Sequence, residues 1–433
     1  MVRVLTWRLV YQLIGALAAL VFGTLTARWL GPHDKGLVSL TALIAFMVSL
    51  IGALGVNESV AFLRNRRGFT AAEVHVGLAA LTLGWGGALA LATTVVLRLW
   101  GGRLWHTDFP LWLAVATGAL VLLRLWFSLG KSQLLAEGRY GVVNTLDVGF
   151  VLVPLLLLFP LVHYRGHTVL AVTASTVLAA LAVAAPLLPL THAYRGVVHW
   201  TRLRTLAVET LRYSLLTFAR VSGATLVYRV NVFIVGALLN LRNVGWYAVA
   251  LMLSEALLKI PDAVTWLLAP RVARAEVGTV NSMTARYLRW TLLASFVLAL
   301  GLAAVTPWLI PRLLTASYAP AVRPALLLLP GGLCACVYQL LSASLTGQGR
   351  VRDTLAPTWI GVVVMVVFNL YAIPRWGLTG AAVTASLTYA LTAGLQTWSY
   401  CRATGAGVGE LFLPQPVDGI VLRAGLRALR SHV

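Results

Sequence analysis

Long apolar runs recur along this 433-residue chain, and they constrain its fold more than any other feature. About twelve of them reach the roughly 20 residues that a helix needs to cross the hydrocarbon layer of a membrane. They lie near residues 9–30, 37–62, 74–98, 109–130, 142–162, 168–190, 213–239, 245–268, 290–310, 324–346, 356–374 and 378–400. Only 11% of the residues are charged, whereas soluble domains are roughly a quarter charged. The pattern predicts an all-α integral membrane protein, because membrane β-barrels show short alternating segments instead.

The basic residues predict how the chain lies in the membrane. The net charge is +21, but the arginines are scattered between apolar runs, which argues against a nucleic-acid partner. If the N-terminus is cytoplasmic, most of the 34 lysines and arginines fall in cytoplasmic segments, as the positive-inside rule requires. We therefore expect both termini in the cytoplasm. The basic stripe in the tail at 401–433 suits either a helix on the anionic inner leaflet or a solvated segment; it consists of Arg423, Arg427 and Arg430.

Short motifs repeat at a nearly constant offset. The sequence AVTAS at 171–175 recurs at 382–386, an offset of 211, and Gly166 corresponds to Gly377 at the same offset. Gly36 corresponds to Gly245 at an offset of 209. The repeat predicts two pseudo-symmetric six-helix lobes around a central cavity, at 1–205 and 206–400, followed by the basic tail. Transporters that rock two halves around a midplane site have such symmetry.

Several arginines fall inside the predicted spans. Arg229 lies near the middle of the seventh run and Arg124 inside the fourth. Ionisable groups at this depth are expensive and usually face a cavity or a partner. Arg220 lies nearer the end of the seventh run and, on a straight helix, opposite Arg229, so both line one cavity only if the helix bends, for example at Gly223. The planar donors of guanidinium suit phosphate, and the first span has no acidic residue, so an anionic substrate fits better than a cationic one.

The eighth run carries three charged residues on one helical face. Glu255, Lys259 and Asp262 are spaced i, i+4 and i+7, which places them on one side of the helix. Two interpretations remain open: the face lines a polar cavity, or Glu255 and Lys259 neutralise each other as an i, i+4 pair. In the fifth run, Asp147 is predicted to pair with a loop arginine.

Catalytic and metal-binding motifs are missing from the sequence. It contains no HExxH, no Walker loop and no GxSxG, and the predicted outer loops are too short to hold the catalytic residues of a glycan polymerase. The three cysteines cannot form a disulfide framework. We therefore predict a protein that is not an enzyme and that holds no metal or cofactor.

The chain resembles the lipid-linked oligosaccharide flippases of bacteria, which belong to the multidrug/oligosaccharidyl-lipid/polysaccharide exporter (MOP) superfamily. Residues 28–32 (RWLGP) with Gly36 resemble the first outer-loop pattern of these flippases, and residues 54–56 (LGV) resemble the end of their second helix. Residues 377–382 (GLTGAA) resemble the opening of their last helix. Further similarity to their seventh and eighth helices is carried by Arg229, Val230, Asn231, Gly236, Gly245, Trp246, Tyr247, Glu255, Pro261 and Pro270.

The resemblance implies twelve helices in two lobes and alternating access. It implies that the protein flips an undecaprenyl-diphosphate-linked oligosaccharide to the outer leaflet of the bacterial inner membrane, for surface polysaccharide synthesis. Partners would be the anionic lipid-linked glycan, membrane lipids, a polysaccharide polymerase and other synthesis proteins. Arg229 and Arg124 would contact diphosphate or acidic sugar, with Arg220 and Lys259 as further candidates and Arg28 at the outer rim.

One position departs from the family pattern. Family members often have aspartate where this chain has Asn231, which puts a cation-coupling role there in doubt. Asn231, Glu255 and Asp262 are expected as polar or ion-paired groups of the cavity. The alternative function is a multidrug or small-molecule exporter of the same superfamily, which should present carboxylates in its cavity.

Overall fold

The computed structural model describes residues 2–57, 60, 70–187 and 200–413, and these residues are almost entirely helical. A π-helical segment at Leu81–Gly86 joins α2 to α3. The helices are α1 (Val2–Gly52), α2 (Ala71–Ala80), α3 (Gly87–Trp105), α4 (Leu111–Ala136), α5 (Tyr140–Arg165), α6 (Val169–Ala184), α7 (Trp200–Leu238), α8 (Leu241–Val272), α9 (Val277–Leu313), α10 (Val322–Gly347), α11 (Leu355–Thr404) and α12 (Val408–Phe412).

Two helices each contain two of the predicted spans. The helix α1 is kinked at Gly31 (φ 73°, ψ 173°), and α11 is kinked at Gly377 (φ 55°, ψ −137°). Glycine adopts such positive φ values readily because it lacks a Cβ. The loop predicted between the first two runs is therefore wrong in detail: the chain turns at Gly31 within a nearly continuous helix. The predicted repeat pair of Gly166 and Gly377 falls on two positive-φ glycines.

The helices confirm the predicted fold class. Among the described residues, eight stretches are long and apolar enough to cross a membrane, and two of them are the kinked α1 and α11. The shorter apolar helix α6 and the charged helix α8 complete the twelve predicted runs. The seventh helix begins earlier than predicted, at Trp200 instead of residue 213. We refer to α1–α6 as the N-terminal lobe and to α7–α12 as the C-terminal lobe; their boundary at 205/206 stays a prediction.

The lobes pack tightly against each other at one end of the bundle. We call it the Gly31 end, and it is the end that the sequence predicts to face outward. A single buried cluster there joins Ala27 and Leu40 of α1 to Leu241 of α8 and to Tyr318. The Tyr318 hydroxyl donates a hydrogen bond to the Ala27 carbonyl across the lobes, at 2.9 Å. The Gly31 end is therefore closed in this structure.

Two glycines allow this closure. A Cβ on Gly36 would collide with the carbonyl group of Leu241, and a Cβ on Gly245 would collide with the carbonyl group of Pro32. The offset of 209 that relates Gly36 to Gly245 also relates Pro32 to Leu241, so the contact obeys the internal repeat. We call these four residues the glycine seal.

Candidate functional site

An ion pair between two helices lies inside the C-terminal lobe. Arg229 of α7 and Glu255 of α8 approach to 2.5 Å between Nη1 and Oε1, and each side chain is 33% exposed. The interpretation that Glu255 pairs with Lys259 on its own helix is therefore wrong. The spacing permits that pair, but the guanidinium from α7 is the nearer cation. The partner of Glu255 comes from a different helix, so the spacing of residues along α8 could not reveal it.

The remaining charges of α8 extend this site. Lys259 lies 3.8 Å from Asp262, and their side chains are 62% and 41% exposed. Gln339 of α10 donates a hydrogen bond to the other Asp262 oxygen at 2.7 Å. We call Arg229, Glu255, Lys259, Asp262 and Gln339 the C-lobe polar cluster. It holds two cations and two carboxylates, so its formal charge is zero, and the charged side chains are partly exposed.

Two tyrosines border the C-lobe polar cluster. The rings of Tyr228 on α7 and Tyr389 on α11 lie 5.2 Å apart. Tyr389 is within electrostatic reach of both Arg229 and Glu255. Four helices thus converge here, and the two tyrosines are a part of the site that the sequence did not predict.

Asn231 does not join the cluster. Its side chain is fully buried, and its amide donates a hydrogen bond of 2.6 Å to the hydroxyl of Tyr247, which is buried as well. Positions 229 and 231 are two residues apart, or roughly 200° around a helix, so the two side chains leave α7 on different sides. The expectation of Asn231 as a cavity residue is wrong, since it lies in the core between α7 and α8.

Arg124 occupies a different environment in the N-terminal lobe. Its guanidinium lies 5.1 Å from the centroid of the Phe150 ring on α5 and 6.0 Å from that of Phe46 on α1. Within the described part of the chain, no hydrogen bond or ion pair involves Arg124, and its Nε is buried without an acceptor. Arg124 is the fourteenth residue of α4, which places it roughly 20 Å along the helix. We call Arg124, Phe46 and Phe150 the Arg124 site.

The other polar residues on this side of α4 are paired. The hydroxyl of Ser128 accepts a hydrogen bond from Asn57 at 2.7 Å, and Lys131 lies 2.9 Å from Asp147. The sequence predicts a loop arginine as the partner of Asp147, and this prediction is wrong, because its partner is Lys131 of the neighbouring helix. Arg124 therefore differs from its helical neighbours in lacking a protein counter-ion among the residues described.

Two predicted arginines are not brought into either site. Arg220 lies near Tyr338, and its buried Nε has no hydrogen-bond acceptor in the described structure. The helix α7 continues past Gly223, which packs against Thr358 and Trp359, so the bend that would bring Arg220 beside Arg229 does not occur. Arg28 is exposed, three residues before the Gly31 kink.

Lys35 lies between the first two predicted runs, and its side chain is directed towards the first half of α1. Its ammonium donates a hydrogen bond to the Thr26 hydroxyl at 2.8 Å. The two residues lie on opposite sides of the Gly31 kink, so the kink creates the contact. The Gly-Pro pair at 31 and 32 is the sequence signal that could have indicated it, because such dipeptides mark sharp changes of direction.

An apolar groove of about 440 Å³ lies along α9 and is lined by Arg289, Trp290, Leu292, Leu293, Phe296, Leu333 and Phe412. None of the predicted site residues lines it. In the part of the chain that the structure describes, no three His, Cys, Asp or Glu side chains are grouped as metal ligands. The C-lobe polar cluster and the Arg124 site are therefore the two candidate sites.

The fold is shared with transporters of known structure. The chain superposes on an inward-facing MATE multidrug transporter of the MOP superfamily with a TM-score of 0.67, at 15% identity, over 91% of this chain and 95% of the other. It superposes on the lipid II flippase MurJ in an inward closed conformation with a TM-score of 0.65, at 10% identity, over 94% and 89% of the two chains. An outward-facing MATE transporter gives a TM-score of 0.62, at 15% identity, over 93% and 96%.

A sequence family identifies the chain more specifically. The family described as "Polysaccharide biosynthesis protein" matches residues 25–323, which is more than half of the chain. No curated protein matches it. The matched region includes both candidate sites except for Gln339 and Tyr389. The chain therefore belongs to the polysaccharide biosynthesis protein family and is a multi-pass membrane protein with the fold of MOP-superfamily transporters and flippases.

Proposed function

We propose that this protein flips an undecaprenyl-diphosphate-linked oligosaccharide from the cytoplasmic to the outer leaflet of the bacterial inner membrane by alternating access, for surface polysaccharide synthesis. The observation that carries the proposal is Arg124, a cation deep in the membrane with no protein anion beside it among the described residues. The family and the fold support transport of a lipid-linked glycan.

The environment of Arg124 favours an anionic ligand. A guanidinium has five donors, and two aromatic rings satisfy its charge only in part, since a cation–π contact contributes about 0.5–2 kcal/mol. A diphosphate offers several oxygens in the geometry that guanidinium binds with paired hydrogen bonds. We therefore assign the diphosphate to Arg124.

The C-lobe polar cluster suits the glycan. It presents donors and acceptors side by side with no net charge, as hydroxyl-rich sugars require, and Tyr228 and Tyr389 add apolar ring surface. Arg229 keeps guanidinium donors besides the one that meets Glu255. We assign Arg229 and Lys259 to the sugar portion, and neither Arg220 nor Arg28 to direct contact.

Closure of the Gly31 end supports an inward-facing state. The chain superposes better on the inward-facing than on the outward-facing form of a MATE transporter. With both termini in the cytoplasm, the substrate would enter from the cytoplasmic side, and the glycine seal would part to release it outside. An inside-negative potential would favour outward movement of a diphosphate with about two negative charges by roughly 4–5 kcal/mol at 100 mV.

A multidrug exporter is the second candidate, because MATE transporters share the fold. The C-terminal lobe does contain two carboxylates, Glu255 and Asp262. Each of them already faces a cation, so neither offers a free negative charge to a cationic drug. The paired carboxylates and the unpaired Arg124 favour the flippase. We propose transport without enzymatic chemistry, with a polymerase and other synthesis proteins as partners.

Flipping in proteoliposomes tests the proposal. The probe is a fluorescent undecaprenyl-diphosphate-linked sugar whose outer-leaflet fraction is quenched by dithionite. We expect the wild-type protein to flip it and Arg124→Ala to lose flipping. The control is Arg103→Ala, which removes an exposed arginine of α3. Efflux of cationic dyes by the wild-type protein without flipping of the lipid would instead identify an exporter.

A further inference from the structure

Lys35 is a second cation of the N-terminal lobe, and it is partly buried. It lies four residues after the Gly31 kink and reaches back to Thr26, whose side chain is fully buried. An ammonium donates three hydrogen bonds, and the threonine hydroxyl accepts one of them. Within the described residues, no carboxylate forms an ion pair with Lys35; its neighbour Asp34 contacts His33 instead.

Lys35 lies on the side of α1 that packs within its own lobe. Val38, one helical turn further on, packs with Leu158 of α5 and Val172 of α6. Gly36, by contrast, contacts the C-terminal lobe through the glycine seal. Lys35 therefore lies beside the seal but belongs to the N-terminal lobe, as Arg124 does.

The two cations differ in depth. Lys35 lies roughly 6 Å along α1 from the Gly31 kink, whereas Arg124 lies roughly 20 Å along α4 from the same end of the bundle. Counted along their helices, Lys35 therefore lies nearer the Gly31 end than Arg124 does. Both are in the N-terminal lobe, and neither has an anionic partner in the described structure.

We propose that Lys35 is a second anion site for the substrate, which receives the diphosphate from Arg124 when the glycine seal opens. This inference rests on the proposed flippase function and extends it. In the closed state the ammonium is held by Thr26. Once the lobes separate at the Gly31 end, Lys35 lies between Arg124 and the outer surface, and the lipid headgroup leaves from it.

The chemistry of the two side chains fits this order. Guanidinium binds phosphate with paired hydrogen bonds and is weakly hydrated, so it holds the headgroup in the membrane interior. An ammonium is a compact and strongly hydrated charge, so it exchanges an anion more readily for water. Arg124, deep in the membrane, therefore binds the headgroup first, and Lys35, nearer the outer surface, then releases it.

Lys35→Met tests the proposal, because it keeps the apolar stem and removes the charge. Binding of the fluorescent diphosphate lipid to purified protein in detergent should stay within about twofold, while flipping in proteoliposomes should fall about tenfold, as expected for loss of one charge-assisted contact. Lys35→Arg should restore most of the flipping. Loss should be larger for the diphosphate lipid than for the corresponding monophosphate.

Thr26→Val distinguishes binding from support of the kink. If Lys35 serves only to join the two halves of α1, removal of its acceptor should slow flipping as much as Lys35→Met does, and that outcome overturns the proposal. Unchanged flipping by Lys35→Met, with an active wild-type protein, overturns the Lys35 site alone. An inactive wild-type protein overturns the flippase function, and the Lys35 site with it.

Discussion

In the N-terminal lobe, Arg124 lies near the rings of Phe46 and Phe150, whereas in the C-terminal lobe Arg229 forms an ion pair with Glu255. The lobes repeat the same helix order, yet Arg229 is neutralised by a carboxylate of its own lobe and Arg124 has no carboxylate beside it among the described residues. A charge at membrane depth is costly and is usually paired with another charge or a backbone carbonyl, or faces a water-filled cavity. This difference is the reason we propose that the anionic part of the substrate binds in the N-terminal lobe.

Among the substitutions that test this comparison, Arg124→Ala should reduce flipping the most. We expect flipping to fall by about a hundredfold or more, because a paired guanidinium–phosphate contact in a dry site is among the strongest polar interactions. Arg124→Lys should recover only part of it, since an ammonium cannot bind bidentately. The dithionite assay measures both, and surface polysaccharide in cells gives an independent readout. Normal amounts of surface polysaccharide in Arg124→Ala cells would contradict the proposed difference in function between the lobes.

Reversing the charge of either Arg229 or Glu255 should break their ion pair, and reversing both charges should restore it. Arg229→Glu and Glu255→Arg each leave two like charges together, and we expect each to reduce flipping by about tenfold or more. The double variant re-forms the pair in the opposite direction and should recover most of the activity. Double-mutant analysis of flipping rates measures this coupling. Additive losses would show that the ion pair does not hold the C-lobe polar cluster together.

Methyl groups in the glycine seal should shift the conformational equilibrium. Gly36→Ala and Gly245→Ala should each favour the outward-open form, with similar effects because the two positions are symmetry-related. In a cysteine-free background, labelling of Ala27→Cys by an impermeant maleimide should become several-fold faster, since a shift of about 1 kcal/mol changes a population about fivefold. Gly141→Ala is the control, because nothing lies within 4 Å of the added methyl. Equal labelling in all variants would contradict the seal.

Tyr247→Phe should have the smallest effect on transport. It removes the hydroxyl that accepts the hydrogen bond from the buried Asn231 amide, and leaving such a group unsatisfied costs about 1–3 kcal/mol. Thermal unfolding in detergent should therefore occur at lower temperature, while flipping stays near the wild-type rate. A selective loss of flipping at unchanged stability would return Asn231 to the transport path.

Sequence reasoning found Arg124 and Arg229 because a charge inside a long apolar run stands out. It could not find their partners. Phe46 and Phe150 come from two other helices, and the spacing along α8 could offer Glu255 only Lys259, a neighbour on its own helix. The contact of Lys35 with Thr26 could not be predicted for a related reason. The sequence around Lys35 looks like a loop, and only the kink at Gly31 brings its side chain back to Thr26.

The sequence alone determined that the chain crosses the membrane about twelve times and that its halves repeat. The length of the apolar runs and the offset between repeated motifs can be read directly from the order of residues. It also indicated Gly36 and Gly245 as equivalent positions. Only the tertiary structure decided which charges are neutralised and which are not. Ion pairing depends on distances of a few ångströms between helices far apart in the chain, and the order of residues does not contain those distances.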